Sequence, residues 1–190
     1  PWNDPVEIKR ALDTGVEGIM VPSVDTAEAA LSAVAACHYP PHGIRDAAHI
    51  LNRASSYGLE SEAYLRDDGR ELLVILQIES LEAVANLEKI TAVDGIDMLF
   101  IGPMDLSGSA GGIGDFANPI FVEALERAER VIRESGKLMG GIPRPGVTPL
   151  DMFASGYDFV IATSDVLLLR NAALENRSEN TPGDNGNGVR

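Results

Sequence analysis

Five short, continuous apolar runs recur along the chain, at residues 18–22, 72–78, 98–101, 137–142 and 158–163, and helical segments separate them. A strand whose apolar residues do not alternate with polar ones is buried on both faces. Strands divided by helices pair in parallel, because only a crossover returns the chain to the same end of the sheet. Helix starts are legible too: Asp4-Pro5, Asn118-Pro119 and Thr148-Pro149 each set a cap residue before a proline at the first helical position. Asp25 with Glu28, and Ser80, open two more helices. The order is one helix followed by five strand–helix units, an α/β fold with a parallel sheet and no visible sequence repeat.

An eight-stranded β/α barrel takes roughly 250 residues and rarely fewer than about 200. With 190 residues and five strands, the chain is either a smaller open sheet or the C-terminal part of a barrel, and composition does not choose. The passage 39–69, rich in Pro, Gly, His, Arg and Ser, reads as an elaborated strand-to-helix connection with one or two helical turns around 47–53. Loops of that length in a compact domain usually cover or build a site. Residues 1–175 form the domain, and 176–190, with a single aliphatic side chain, reads as a disordered tail.

The net charge of −14, from 29 acidic and 15 basic side chains, argues against a nucleic-acid partner, whose phosphates need Lys and Arg. No apolar stretch reaches the ~20 residues of a membrane span and the first residues show no leader pattern, so the expectation is a soluble, cytoplasmic protein with no membrane partner. The single cysteine, Cys37, falls in an Ala-rich helical segment and reads as a buried, inert thiol.

Chemistry concentrates in two phrases. Gln77-Ile78-Glu79-Ser80 and Gly102-Pro103-Met104-Asp105-Leu106-Ser107 each place one carboxylate just past the end of an apolar run. Two carboxylates at neighbouring strand ends can share a hard divalent cation and leave it open positions for water and substrate. Taken singly, Glu79 reads as a helix N-terminal carboxylate and Asp105 as a turn cap. His38, His42 and His49 have no zinc-site spacing, Arg45 and Arg53 read first as loop pins and only second as contacts to an acidic substrate, and the run 108–114 lacks the ending of a phosphate-binding loop.

These phrases, together with Pro1-Trp2-Asn3-Asp4-Pro5, Tyr39-Pro40-Pro41-His42-Gly43-Ile44-Arg45 and Arg53-Ala54-Ser55-Ser56-Tyr57-Gly58, resemble the HpcH/HpaI aldolases, metal-dependent pyruvate aldolases related to the citrate lyase β-subunit group. The match runs from residue 1 to about residue 174. The resemblance implies an incomplete (β/α)8 barrel, about the fourth to eighth strand–helix units. It implies Glu79 and Asp105 as ligands of Mg²⁺, Mn²⁺ or Co²⁺. Gln77 would face a small 2-keto acid substrate, with Arg45 as a further substrate contact. The backbone N–H groups around Met104 and Asp105 would hold the substrate carboxylate. Asp13 matches a carboxylate that supports the family's catalytic histidine; that histidine and a substrate arginine would precede Pro1. Asp46 stands where the family phrase usually has glycine. A homo-oligomer built through an exchanged terminal helix is implied, with 164–174 as the interface segment. The implied activity is retro-aldol cleavage of a 4-hydroxy-2-keto acid to pyruvate and an aldehyde. The alternatives are a lyase acting on a malyl- or citramalyl-type CoA thioester, and a non-catalytic remnant that binds metal and keto acid.

Overall fold

The computed structural model describes residues 2–67 and 72–180, in two units, 1–160 and 161–190. The first unit runs α1 (Pro5–Leu12), β1 (Gly18–Val21), α2 (Ala27–Cys37), a 3-10 turn (Arg53–Ser55), α3 (Ser61–Asp67), β2 (Leu73–Ile78), α4 (Leu81–Ala85), α5 (Leu87–Thr91), β3 (Met98–Ile101), α6 (Pro103–Ser109), α7 (Pro119–Ser135), β4 (Leu138–Gly141), α8 (Pro149–Ala154) and β5 (Phe159–Val160). The strands form one parallel sheet in the order β1-β2-β3-β4-β5. All five expected runs are strands. The last is cut to two residues, because β4 ends at Gly141 and Pro143 beyond it has no N–H to continue the ladder.

Alternation along each strand divides the core. Val21, Val74, Leu76, Ile78, Leu99, Ile101 and Met139 point to the helix-covered side and join its large cluster. Ile75, Met98 and Phe100 form a smaller cluster on the other face, with Met20 and Leu73 packed against it. Gln77 and Glu79 continue the second series beyond Ile75, so the sheet's second face passes from apolar to polar at the C-terminal ends of the strands.

The caps follow the sequence at Asp4, Ser80, Asn118 and Thr148. Helix α2 departs from it: its cap is Thr26, whose hydroxyl accepts from the Ala29 N–H at 3.1 Å. The carboxylate of Asp25 is instead taken by the Ser80 hydroxyl, and its carbonyl by the Asn86 amide at 2.9 Å.

A three-residue signature recurs at three helix-to-strand junctions. Gly15-Val16-Glu17, Gly95-Ile96-Asp97 and Gly156-Tyr157-Asp158 lead into β1, β3 and β5, each glycine having positive φ where a helix ends. The aspartates then clamp the preceding strand. Asp97 accepts from the Val74 N–H at 2.8 Å, and Asp158 from the Met139 N–H at 2.9 Å. Three residues recurring amid unrelated neighbours are invisible without the strand pairing that gives them a common job.

The passage 39–69 follows α2 and precedes β2, so it is a helix-to-strand connection rather than the strand-to-helix one expected. Residues 27–37 already supply the crossover helix. Its regular pieces among the described residues are a turn within the expected 47–53, where the Leu51 N–H bonds the Ala48 carbonyl at 2.9 Å, the 3-10 turn at Arg53–Ser55, and α3. Asp46 does not take positive φ, whereas Ser56 and Tyr57 do. Cys37 is buried at the end of α2, and Trp2 is exposed.

The second unit contains α9 (Asp165–Asn180), whose Leu167 N–H reaches the Ser164 hydroxyl at 3.3 Å. Ser164 thus supplies the side-chain cap, while the Asp165 carboxylate accepts from the Val166 N–H at 2.8 Å. The helix extends through 176–180, into the stretch expected to be disordered, because no glycine or proline interrupts the chain before Pro182-Gly183. The rest of that expected tail lies outside the described residues. Among the described residues no helix is long and apolar enough to cross a membrane.

Candidate functional site

Glu79 follows the last residue of β2, one step past the hydrogen-bonded ladder, and Gly102 follows β3 beside it, its N–H bonding the Ile78 carbonyl at 3.0 Å. A Cβ at Gly102 would stand 3.1 Å from Gln77 Nε2, 3.1 Å from Glu79 Cβ and 3.3 Å from Glu79 Oε2. The missing side chain therefore leaves a cradle between the Gln77 amide and the Glu79 carboxylate. Oε1 of Glu79 is engaged by the Ser23 N–H at 2.9 Å. Ser23 lies just past β1 with φ of 57°, a region non-glycine residues seldom occupy. That backbone turn aims an amide at one carboxylate oxygen and leaves the other facing the cradle.

Asp105 lies in the first turn of α6, immediately after β3. The first helical bond runs from the Leu106 N–H to the Gly102 carbonyl at 3.0 Å. The N–H groups of Met104 and Asp105 are thereby left without a backbone acceptor, as at any helix start. Met104 and Asp105 are exposed, Gln77 and Glu79 half-buried. The Glu79 carboxyl is held above the ordinary glutamate range. Burial is the main cause, the charges of Asp105 and Asp25 add to it, and the Ser23 N–H works against it.

Among the described residues no lysine or arginine pairs with Glu79, and no three His, Cys, Asp or Glu side chains converge as a ready-made metal cluster. The centre is a pair of carboxylates in a field of like charge, with hard oxygen donors and a cradle beside them. A divalent cation suits that donor set and relieves the repulsion.

Asp13 and Arg45 are brought together elsewhere. Asp13 caps the C-terminus of α1 ahead of β1, and the Ala54 N–H bonds its carbonyl at 3.3 Å, so it lies at the N-terminal end of the strands. Its carboxylate accepts from Arg45 Nη2 at 2.8 Å, from Asn52 Nδ2 at 3.0 Å and from Lys9 Nζ. The Arg45 side chain is 1% exposed and lies over the Tyr39 ring, 4.6 Å from its centroid. Within this chain Arg45 therefore pins the long connection to α1 and does not face Glu79, and Asp13 is its counter-ion. Burial alone would raise the Asp13 carboxyl; hydrogen bonds from Lys9 and Arg45, with their charges, outweigh it and hold the group below the ordinary aspartate range. The same burial pushes the Tyr39 phenol up to about 12. His38, His42 and His49 belong to this connection, where His49 meets the Tyr39 ring edge-on at 5.9 Å.

Sequence reading missed Ser23 and Asp25. Nothing in Pro22-Ser23-Val24-Asp25 announces a left-handed serine, because the usual signal for positive φ is glycine or asparagine. A carboxylate four residues after the end of β1 was the available sign for Asp25.

Comparison with known proteins shows the family and the fold. The family described as HpcH/HpaI aldolase/citrate lyase matches residues 1–172. The hydroxypyruvate/pyruvate aldolase of Chromohalobacter salexigens is 40% identical over 174 residues, 91% of this chain and 68% of that protein. The 4-hydroxy-2-oxo-heptane-1,7-dioate aldolase of Salmonella arizonae is 41% identical over 172 residues, 90% of this chain and 65% of that one. The chain thus spans about two thirds of the length of the curated relatives it matches. Among solved structures, an HpcH/HpaI aldolase/citrate lyase family protein from Burkholderia cenocepacia superposes with a TM-score of 0.85 at 31% identity, over 94% of this chain and 70% of that one. An HpcH/HpaI aldolase from Desulfitobacterium hafniense gives 0.82 at 27% identity, over 98% and 73%. The five strand–helix units are accordingly part of a β/α barrel, and the chain belongs to the HpcH/HpaI aldolase/citrate lyase family.

Proposed function

We propose that this chain carries the metal and keto-acid half of a carbon–carbon lyase, one that cleaves a 4-hydroxy-2-keto acid to pyruvate and an aldehyde. The observation that supports it most is the Glu79–Gly102–Asp105 arrangement at adjacent strand ends, in a chain 40% identical to a hydroxypyruvate/pyruvate aldolase.

Glu79 and Asp105 would hold the divalent ion, Mg²⁺, Mn²⁺ or Co²⁺. When bound, such an ion supplies a Lewis acid for the negative charge that develops on a 2-keto acid as its C3–C4 bond breaks. The Ser23 N–H fixes Oε1 of Glu79 so that Oε2 faces the cradle. The Gln77 amide, on the same face of β2, is available to the keto acid as a hydrogen-bond partner. The Met104 and Asp105 N–H groups offer two donors to its carboxylate, as helix starts do for anions. Among the described residues no histidine lies at this end of the sheet, so the role assigned to this chain is binding and orientation rather than transfer of the hydroxyl proton. The apolar side chains that α9 exposes, Val166, Leu168 and Leu169 among them, support self-association through the terminal helix.

The testing experiment is exchange of the pyruvate methyl protons in D₂O, followed by NMR, with and without Mn²⁺. Metal-dependent exchange is expected if this chain suffices for proton removal from C3. Absence of both exchange and pyruvate binding in folded protein would sink the proposal, while Mn²⁺ and pyruvate binding without exchange would favour the remnant reading.

A milder perturbation probes the cradle. Gly102→Ala should fold, since φ of −93° suits any residue, yet push on the Gln77 amide and the Glu79 side chain. Isothermal titration is expected to show Mn²⁺ and pyruvate binding weakened about tenfold.

A further inference from the structure

We infer that Asp25 is a positioning residue for Glu79 and sets the ion selectivity of the carboxylate pair. Through its bond to Ser80 it holds the Ser23 amide on one oxygen of Glu79. Glu79 then offers a divalent cation a single oxygen, which favours small octahedral ions over Ca²⁺. The inference rests on the metal reading above and deepens it.

Sheet register brings these residues together. Strands β1 and β2 pair Gly18 with Leu73 and Val21 with Leu76. The same offset of 55 persists four residues beyond the ladder, where the Ser80 hydroxyl donates to Asp25 Oδ1. That hydroxyl also accepts the Ala83 N–H at 2.9 Å as the N-terminal cap of α4, and the Asp25 carbonyl accepts the amide of Asn86, the residue that ends α4, at 2.9 Å. Asp25 is therefore bound at both ends of one helix. Just before it stands Ser23, with φ of 57°, a conformation that a non-glycine residue keeps only when its surroundings impose it. Val24, fully buried, packs this turn into the core. Packing has little directionality, so the two hydrogen bonds to Asp25 are what fix the turn's rotation and the aim of the Ser23 N–H.

That aim orients the Glu79 carboxylate. Oε1 takes the Ser23 N–H at 2.9 Å on the β1 side. Oε2 lies on the β3 side, 3.3 Å from where a Cβ at Gly102 would stand, and α6 with Asp105 begins there. The chain after Glu79 is tied as well, since the Leu81 N–H donates to Ser109 Oγ at 2.9 Å, at the far end of α6. Residues 79–81 are thus held between the β1 turn and the helix of the second carboxylate, which resists rotation of both Glu79 oxygens toward one ion. Ca²⁺ takes roughly six to eight oxygens and often both from one carboxylate, whereas Mg²⁺ demands a near-ideal octahedron and few carboxylates. A carboxylate fixed with one oxygen forward suits the smaller ion.

The test is titration of the 190-residue chain with Mn²⁺, read from the EPR signal of the free ion, with Mg²⁺ and Ca²⁺ as competitors and circular dichroism as the check on folding. Asp25→Ala is expected to shift the Mg²⁺-to-Ca²⁺ affinity ratio toward Ca²⁺ by about tenfold, the low end of what outer partners of metal ligands contribute. Ser80→Gly removes the hydroxyl from the other side and leaves an acceptable helix cap. It should give the same shift with the Asp25 charge intact, and it carries the test if Asp25→Ala does not fold. Asp25→Asn keeps an acceptor for Ser80, so it should weaken both ions alike and preserve the ratio. A ratio unmoved in folded Asp25→Ala or Ser80→Gly, or moved as far in Asp25→Asn, overturns this inference alone. Folded parent protein that binds none of the three ions overturns the metal reading and this inference with it.

Discussion

Glu79→Ala is expected to lose Mn²⁺ affinity by more than about 100-fold, measured by isothermal titration, and to lose any metal-dependent pyruvate exchange. Outer partners of metal ligands cost 10- to about 100-fold when removed, and Glu79 is proposed as one of only two protein ligands. The variant also frees the Ser23 N–H, so Glu79→Gln is the sharper comparison: it keeps an oxygen acceptor for that amide and removes the charge. Equal Mn²⁺ affinity in Glu79→Gln and the parent would falsify the metal assignment.

A second readout needs no metal. Because the folded Glu79 pKa lies above its unfolded value, the ionised group costs the metal-free fold stability at neutral pH, and that cost is relieved as pH falls through the raised pKa. Metal-free Glu79→Gln should therefore melt no lower than the parent at pH 7, and the two should converge on acidification.

Asp13→Ala is expected to destabilise the fold by about 3–5 kcal/mol, read from urea unfolding. The physical reason is Arg45, whose guanidinium is almost wholly buried and would lose its carboxylate partner. The loss should be partly restored in the double variant Asp13→Ala/Arg45→Met, which removes the stranded charge. A loss below about 1 kcal/mol in the single variant would show that the long connection is held by packing against Tyr39 and Tyr64 instead. Its pH signature is opposite to that of Glu79. The folded Asp13 pKa is depressed, so its contribution is present above the ordinary aspartate value of about 3.9 and disappears as pH falls through the lowered one.

The contrast between these two carboxylates shows where sequence reading stops. Continuous apolar runs imposed a buried parallel sheet, and cap residues followed by proline fixed where α1, α7 and α8 begin, because both depend on local chemistry: desolvation of the backbone and the orphan N–H groups of a helix start. Glu79 and Asp105 were legible for the same reason, each lying a residue or a few past a strand and so at one end of the sheet. Asp13 and Arg45 were not. They are 32 residues apart, and only the packing of the long connection against α1 decides that they neutralise each other at the far end of the strands. Tertiary structure also chose the left-handed turn at Ser23, which selects the free oxygen of Glu79, and the Gly-x-acid junctions, whose aspartates gain a role only once a neighbouring strand offers its N–H. Local sequence thus determined which elements exist and which strand ends carry charge. The pairing of charges and the aim of each donor depended on long-range contacts, since a hydrogen bond or an ion pair has no energy until its partner is brought within reach.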